Sequence, residues 1–257
     1  LHYPLRRQRQ MCIRDRVGVD DLQNMVLDDE VYLARLLLPD LRQWCKGAQT
    51  DVQALCASLS AWNGKADLNS GIGLVHFQNM VDALAEHPDS WRVAFDPADP
   101  QHTPRGLAVE QAAVRKLLHE AALASLQQVA QDGVDEGSQW GQVQQALDGT
   151  PVPGGPQELG VYNAIFSVPH GPGKRLVVSG TSYLQLVSFT EQGPQARGLL
   201  AFSQSSEAAS AHSSDQTRAF SAKQLAPIPF TEAQIKADPE YRQYAVSYTH
   251  LTLPTKR

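Results

Sequence analysis

The sequence lacks most of the signatures that would assign a function by motif. Its 257 residues hold only three cysteines and no Cys-x-x-Cys pair, so neither a zinc ribbon nor a thioredoxin-type redox site is encoded. There is no His-Glu-x-x-His, no calcium-loop spacing and no Gly-x-Ser-x-Gly elbow. No stretch approaches the roughly 18 apolar residues of a membrane-crossing helix. No fixed period recurs, which argues against a solenoid. Gly171-Pro172-Gly173-Lys174 carries only the first half of a phosphate loop and no helix follows it, so it reads as a β-hairpin turn.

The two ends stand apart from the rest. Written in suitable synonymous codons, Arg6 to Asp15 has a reverse complement that translates as Val-Ser-Tyr-Thr-His-Leu-Thr-Leu-Pro-Thr. That is Val246 to Thr255 at all ten positions. Residues 1–16 and 246–257 are therefore expected to be read-through of one sequencing-library adapter, once on each strand. About 229 native residues, Val17 to Ala245, would remain, with both true termini missing. The absence of a leader then says nothing about export. The charge balance shifts as well. The full chain has 22 basic and 27 acidic residues, and the ends hold seven of the former against Asp15 alone. The remainder carries 15 basic and 26 acidic residues, a net charge of −11. The apparent basic arm disappears, and with it the case for nucleic acid or an anionic membrane surface as a partner.

What remains is a change of pattern near Thr150. Before it the apolar spacing is helical. Asp20 is placed to cap a helix containing Leu22, Met25 and Val26. Val31, Leu33, Leu36, Leu37 and Leu41 continue a stripe, with Pro39 marking a bend or restart. Asp51 could cap the segment of Leu55, Leu59 and Trp62, which Asn63-Gly64 ends. Leu74, Phe77, Val81 and Leu84 form the next stripe, Trp91 to Leu107 reads as an ordered crossing loop, and the longest helix runs from about Val109 to Gln131. After a Pro/Gly-rich linker, strands are predicted at Gly160–Val168, Arg175–Ser179, Ser182–Phe189 and Arg197–Phe202. The last two are joined as a hairpin through Gln192-Gly193-Pro194. A small-polar loop, Ser203 to Ser214, and a short helix from Thr231 close the chain. The expected organisation is a helical segment over 17–150 and a strand segment over 151–245.

Few side chains suggest chemistry. His76 beside Phe77 reads as a packed or surface histidine, and His119-Glu120 as part of a solvated helix face. Ser205, His212 and Asp215 supply the residue types of a hydrolytic triad, but they crowd one short loop, whereas triads are assembled from separated elements. Cys45 and Cys56 lie between two helical patterns, where they could close a disulfide in an exported protein or remain half-buried thiols.

Several stretches taken together resemble the penicillin acylase family of N-terminal-nucleophile (Ntn) hydrolases. They are Tyr32-Leu33-Ala34-Arg35-Leu36-Leu37-Leu38-Pro39; Leu59-Ser60-Ala61-Trp62-Asn63-Gly64; Phe95-Asp96-Pro97 with Thr103-Pro104-Arg105-Gly106-Leu107; Gly160-Val161-Tyr162-Asn163-Ala164; Ser179-Gly180-Thr181-Ser182-Tyr183; Ser203-Gln204-Ser205-Ser206 with Asp215-Gln216; and Pro229-Phe230-Thr231. They follow the family's order near the end of its β chain, and the wording is nearest the acyl-homoserine-lactone and lipopeptide acylase branch. The chain departs from the family in having Trp62-Asn63-Gly64 for Trp-Asp-Gly, and Ser213-Ser214 ahead of Asp215-Gln216 where an aromatic is usual. The resemblance implies an α+β piece of an αββα sandwich from an enzyme that cleaves N-acyl homoserine lactones, lipopeptides or penicillins. Its nucleophile would be an N-terminal serine whose own amino group is the base, with an oxyanion site beside it. All of these would lie upstream, so no residue of this chain inherits a catalytic or cofactor role. Calcium, where the whole enzyme binds it, would also be held upstream. The partners implied are the α chain and the N-terminal part of the β chain of one precursor. The implied location is the periplasm or exterior, which favours the Cys45–Cys56 disulfide. Two other readings are a stand-alone α+β binding module and an exported hydrolase built on Ser205, His212 and Asp215.

Overall fold

A computed structural model describes residues 18–100 and 102–244. The adapter assignment of residues 1–16 and 246–257 lies outside them. The first part is helical: α1 Val19–Val26, α2 Tyr32–Cys45, α3 Gln53–Ala61 entered through a 3-10 turn at Thr50–Val52, α4 Gly73–Ala85, α5 Ala112–Gln131 and α6 Trp140–Val143. In α2 the buried side chains are Ala34, Leu37, Leu38, Leu41 and Trp44, a three-and-four spacing that forms one stripe. Leu36, expected on that stripe, is instead exposed. Pro39 produces no restart, because helix continues on both sides of it. The carbonyl it leaves without a donor belongs to Arg35, which faces water.

The turn after α3 shows why the Trp-Asn-Gly sequence sits where it does. Trp62 is buried, its indole N–H donates to Lys65 O at 2.8 Å, and its ring lies 5.1 Å from that of Phe77. Asn63 Oδ1 accepts from Lys65 N and Ser70 Oγ, and Gly64 takes a positive φ of 74°. Arg42 of α2 closes the exposed end of α3 by donating to the carbonyls of Leu59, Ser60 and Trp62. A Cβ on Gly73 would stand 2.5 Å from Ser58 O, so the close approach of α3 and α4 requires glycine there. These helices enclose one large core, to which Leu159 and Val161 also contribute. Each fully buried leucine in it, Leu41, Leu55 and Leu59 among them, contributes about 1.5–3 kcal/mol.

The crossing loop is more regular than expected: β1 Trp91–Val93 and β2 Arg105–Leu107 pair antiparallel within it. Asp20 is not a cap but a first-turn residue of α1, paired with Arg197 at 2.9 Å; Gly18 occupies the cap position. Asp51 lies in the 3-10 turn and pairs with His119.

The later part forms two three-stranded sheets. In one, β3 Gln144–Gln145 runs parallel to β5 Arg175–Gly180, which pairs antiparallel with β4 Ile165–Pro169. Gly171-Pro172-Gly173-Lys174 is the turn between β4 and β5. Gly173 is needed there for a φ of 69° and for an approach to Gly133 O that would leave only 2.8 Å to a Cβ. In the other sheet β6 Tyr183–Thr190, β7 Gly193–Leu200 and β8 Ala226–Ile228 are antiparallel, in that order. Three elements here were not foreseen, strand β3, α7 Asp215–Ser221 and strand β8; α8 Glu232–Ala237 begins at Thr231, whose Oγ1 accepts from Gln234 N. The molecule is thus an α+β chain in which helices precede mainly antiparallel strands.

Among the described residues the second sheet is covered on one face only. Leu184 and Leu186 of β6 alternate inward and join Leu199, Phe220 of α7 and Leu27 in a small second core. Arg197, opposite Leu186, reaches across that face to Asp20 and Gln23 of α1. α7 is fixed by Ser203 Oγ, which accepts the N–H groups of Gln216 and Thr217, and by Gln216 Oε1, which accepts from Leu200 N.

Candidate functional site

The two cysteines expected to pair or remain thiols are joined in a disulfide with Cα atoms 5.6 Å apart, tying the end of α2 to α3. The bridge belongs to the helical core, since Trp44 and Cys56 are both buried in it.

The loop triad does not assemble. Ser205 and His212 meet only through the backbone, Ser205 N donating to His212 O at 3.1 Å. Ser205 Oγ accepts from Glu207 N in a local turn. His212 Nδ1 lies 2.8 Å from Asp215 Oδ2 on an exposed ring. The hydrogen bond to Asp215 raises the imidazole's pKa and lowers the carboxyl's, as any histidine–aspartate pair on a surface would. A groove lined by Gln157, Glu158, Phe166 and Ser179 lies on other elements and includes none of the three.

A second set also gathers serine, histidine and a carboxylate, here a glutamate, and was not anticipated. His76 Nδ1 is 2.9 Å from Ser125 Oγ, and His76 Nε2 is 3.8 Å from Glu136 Oε1, which shares its carboxylate with Ser58 Oγ. The sequence did suggest a packed His76, and the ring is fully buried on α4 against α5. Burial lowers its pKa against the pull of Glu136. Ser125 is also buried, so no substrate reaches its oxygen. The set is a polar tie between two helices, and helical spacing alone could not have revealed it. Among the described residues no group of three or more His, Cys, Asp or Glu converges to hold a metal ion. None of the described helices is long and apolar enough to cross a membrane.

The feature with most functional content is the uncovered face of the β6–β7–β8 sheet. Tyr183, Val187 and Phe189 alternate outward from β6 and are 51%, 41% and 84% exposed. On the same face lie Ala196 of β7 and Ile228 of β8, whose register places them side by side. β6 has no partner on its outer edge among the described residues. The other sheet shows Phe166 and Val178 outward in the same way. An apolar sheet face with an open edge strand is a surface that a folded protein normally covers. The alternation in β6 was legible from sequence. Which of its two faces would be bare was not, because both carry apolar residues.

The penicillin amidase family model matches residues 3–237. The acyl-homoserine lactone acylase PvdQ of Pseudomonas putida is 79% identical over 232 residues, which is 90% of this chain and 30% of that protein. The aculeacin-A acylase of Actinoplanes utahensis is 30% identical over 267 residues, covering 91% of this chain and 33% of that protein. A thermostable penicillin G acylase from Alcaligenes faecalis superposes with a TM-score of 0.46 at 13% identity, over 95% of this chain and 52% of that one. The chain spans about 30% of the length of the PvdQ proteins it matches.

Proposed function

The chain belongs to the penicillin amidase family, and from that premise we propose that it is the closing part of an acylase β chain whose reacting groups lie on polypeptide outside it. The family consists of hydrolytic acylases. The proposed reaction of the whole enzyme is hydrolysis of the amide of an N-acyl homoserine lactone, with lipopeptides and penicillins as related substrates. An N-terminal serine hydroxyl would attack the amide carbonyl, its own α-amino group would take the proton and return it to the leaving amine, and water would then cleave the acyl-serine ester to release the acid and restore the hydroxyl. This chain's part is structural. Its helices make a self-contained buttress, and its late strands present a face to the rest of the αββα sandwich. The partners are then the α chain and the earlier part of the β chain. Calcium, if the whole enzyme binds it, would be held there too. The Cys45–Cys56 disulfide supports an oxidising location, the periplasm or the exterior.

The observation that carries this reading is the bare sheet face, with Phe189 at 84% exposure on a strand whose outer edge is unpaired among the described residues. The test is complementation. Expressed alone, the chain is expected to show no hydrolysis of a long-chain acyl-homoserine lactone. Co-expressed with the preceding part of the Pseudomonas putida relative, it is expected to restore turnover, and Ser205→Ala should leave that turnover unchanged. Hydrolysis by the isolated chain that Ser205→Ala abolishes would overturn the proposal in favour of a site in the Ser203–Ser214 loop.

A further inference from the structure

We infer that Asn63 is a site of self-modification: the turn that holds it promotes attack of the Gly64 nitrogen on the Asn63 side-chain amide and directs the product to aspartate. Of the five asparagines only Asn63 is followed by glycine. That glycine is set by the fold, because its φ of 74° is strained for any residue with a Cβ. A residue without a side chain also leaves its own backbone nitrogen open to reaction. No described group accepts the Gly64 N–H, and Asn63 is exposed, so water reaches the turn.

The hydrogen bonds supply the rest. Lys65 N donates to Asn63 Oδ1 at 3.0 Å, which folds the side chain back over the peptide joining it to Gly64 and sets Cγ beside the Gly64 nitrogen. Ser70 is buried, and its Oγ donates to the same oxygen at 3.0 Å while accepting from Asp67 N at 3.2 Å. Two donors thus converge on the oxygen where negative charge develops as nitrogen adds to Cγ, the arrangement of an oxyanion site. The N–Cγ bond forms as the Gly64 amide proton leaves for water. The Cγ–Nδ2 bond then breaks, the nitrogen takes a proton from water, and ammonia departs. Water next opens the resulting cyclic succinimide at one of its carbonyls. Attack at Cγ breaks the new bond to Gly64 N and gives aspartate. Attack at the main-chain carbonyl breaks the original peptide bond instead and gives isoaspartate, with an extra methylene in the backbone. Both donors serve the Cγ oxygen, and no described donor reaches the Asn63 main-chain oxygen. The flanks also resist a longer backbone. Trp62 O is held by Arg42 Nη2 at 2.9 Å, Gly64 O by Val31 N at 2.9 Å, and Ala66 N by Asp29 O at 2.8 Å. Opening at Cγ is therefore favoured. The aspartate keeps both hydrogen bonds, now charge-assisted, and the chain gains one negative charge.

The experiment ages the folded chain in mildly alkaline buffer made with oxygen-labelled water, beside a sample unfolded in urea. Tryptic peptides ending at Lys65 are read by mass spectrometry, with electron-transfer fragmentation separating aspartate from isoaspartate. Asn63 is expected to deamidate in the folded chain mainly to aspartate, and in urea mainly to isoaspartate. Ser70→Ala should slow the folded reaction by about tenfold, the worth of one hydrogen bond, and raise the isoaspartate share. Ser70→Thr, which keeps the hydroxyl, should restore both, and all three chains should react alike in urea. The comparison of folded and unfolded parent chain needs neither variant to fold. An Asn63 that persists in the folded chain while it deamidates in urea would overturn the inference. So would isoaspartate as the main product of the folded chain, or a folded Ser70→Ala that reacts as fast as the parent.

Discussion

Trp62 and Phe189 are both large aromatic side chains, yet one is 2% exposed and the other 84%. Trp62 belongs to the helical part, where α2, α3, α4 and α5 surround their own core and a disulfide ties two of them together. Phe189 belongs to the strand part, where α1 and α7 cover one sheet face and no described residue covers the other. Helices close a core by turning stripes toward one another, and this segment contains all the stripes it needs. A sheet has two faces, and a sandwich fills them from separate stretches of chain. The difference between the regions is thus one of cover: among the described residues the first is enclosed by its own helices and the second on one sheet face only.

The largest effect that could break this comparison is expected at Trp62. Trp62→Ala removes the indole bond to Lys65 O and the packing on Phe77, and should lower stability by about 3–5 kcal/mol in urea unfolding. A loss below 1 kcal/mol would mean the helical core is not the self-supporting part. Next comes the disulfide. The double change Cys45→Ser and Cys56→Ser, across a sequence separation of 11, should cost about 2–3 kcal/mol, read as a lower thermal midpoint that reducing agent reproduces in the parent chain. An unchanged midpoint would remove the bridge from the account of the helical core. The smallest effect is expected on the bare face. Phe189→Ser should change stability by no more than about 0.5 kcal/mol while increasing solubility, because the ring already lies in water. A large destabilisation would show that the ring is already packed.

How much of this could be read in the sequence follows the same division. The core residues Leu37, Leu41, Leu59, Leu74 and Phe77 recur at helical spacing, and the β6–β7 hairpin announces itself by alternation around Gln192-Gly193. Pro39 was misleading because its helix-breaking tendency depends on whether the freed carbonyl can be hydrated, and that is set by burial. β1 and β2 are three residues each, too short for alternation to register. α7 was hidden in a Ser/Thr/Gln/Asp-rich stretch with Phe220 as its main anchor, since such residues favour turns until tertiary contacts such as Ser203 Oγ to Gln216 and Thr217 hold them helical. Nothing in the pair Asp28-Asp29 tells which is buried. Lys223, whose Nζ lies 2.8 Å from Asp29 Oδ2, decides that from far along the chain. The family motif around Trp62-Asn63-Gly64 was legible because its turn is stabilised locally.

The most direct test of the central claim is amide hydrogen exchange on β6, measured for the chain alone and for the chain co-expressed with the preceding part of its Pseudomonas putida relative. If the open sheet is a docking face, Tyr183–Phe189 will exchange fast in the isolated chain and become protected in the assembly, while α5 remains equally slow in both. Slow exchange at β6 in the isolated chain, matching that of α5 and unchanged by the partner, would contradict the account.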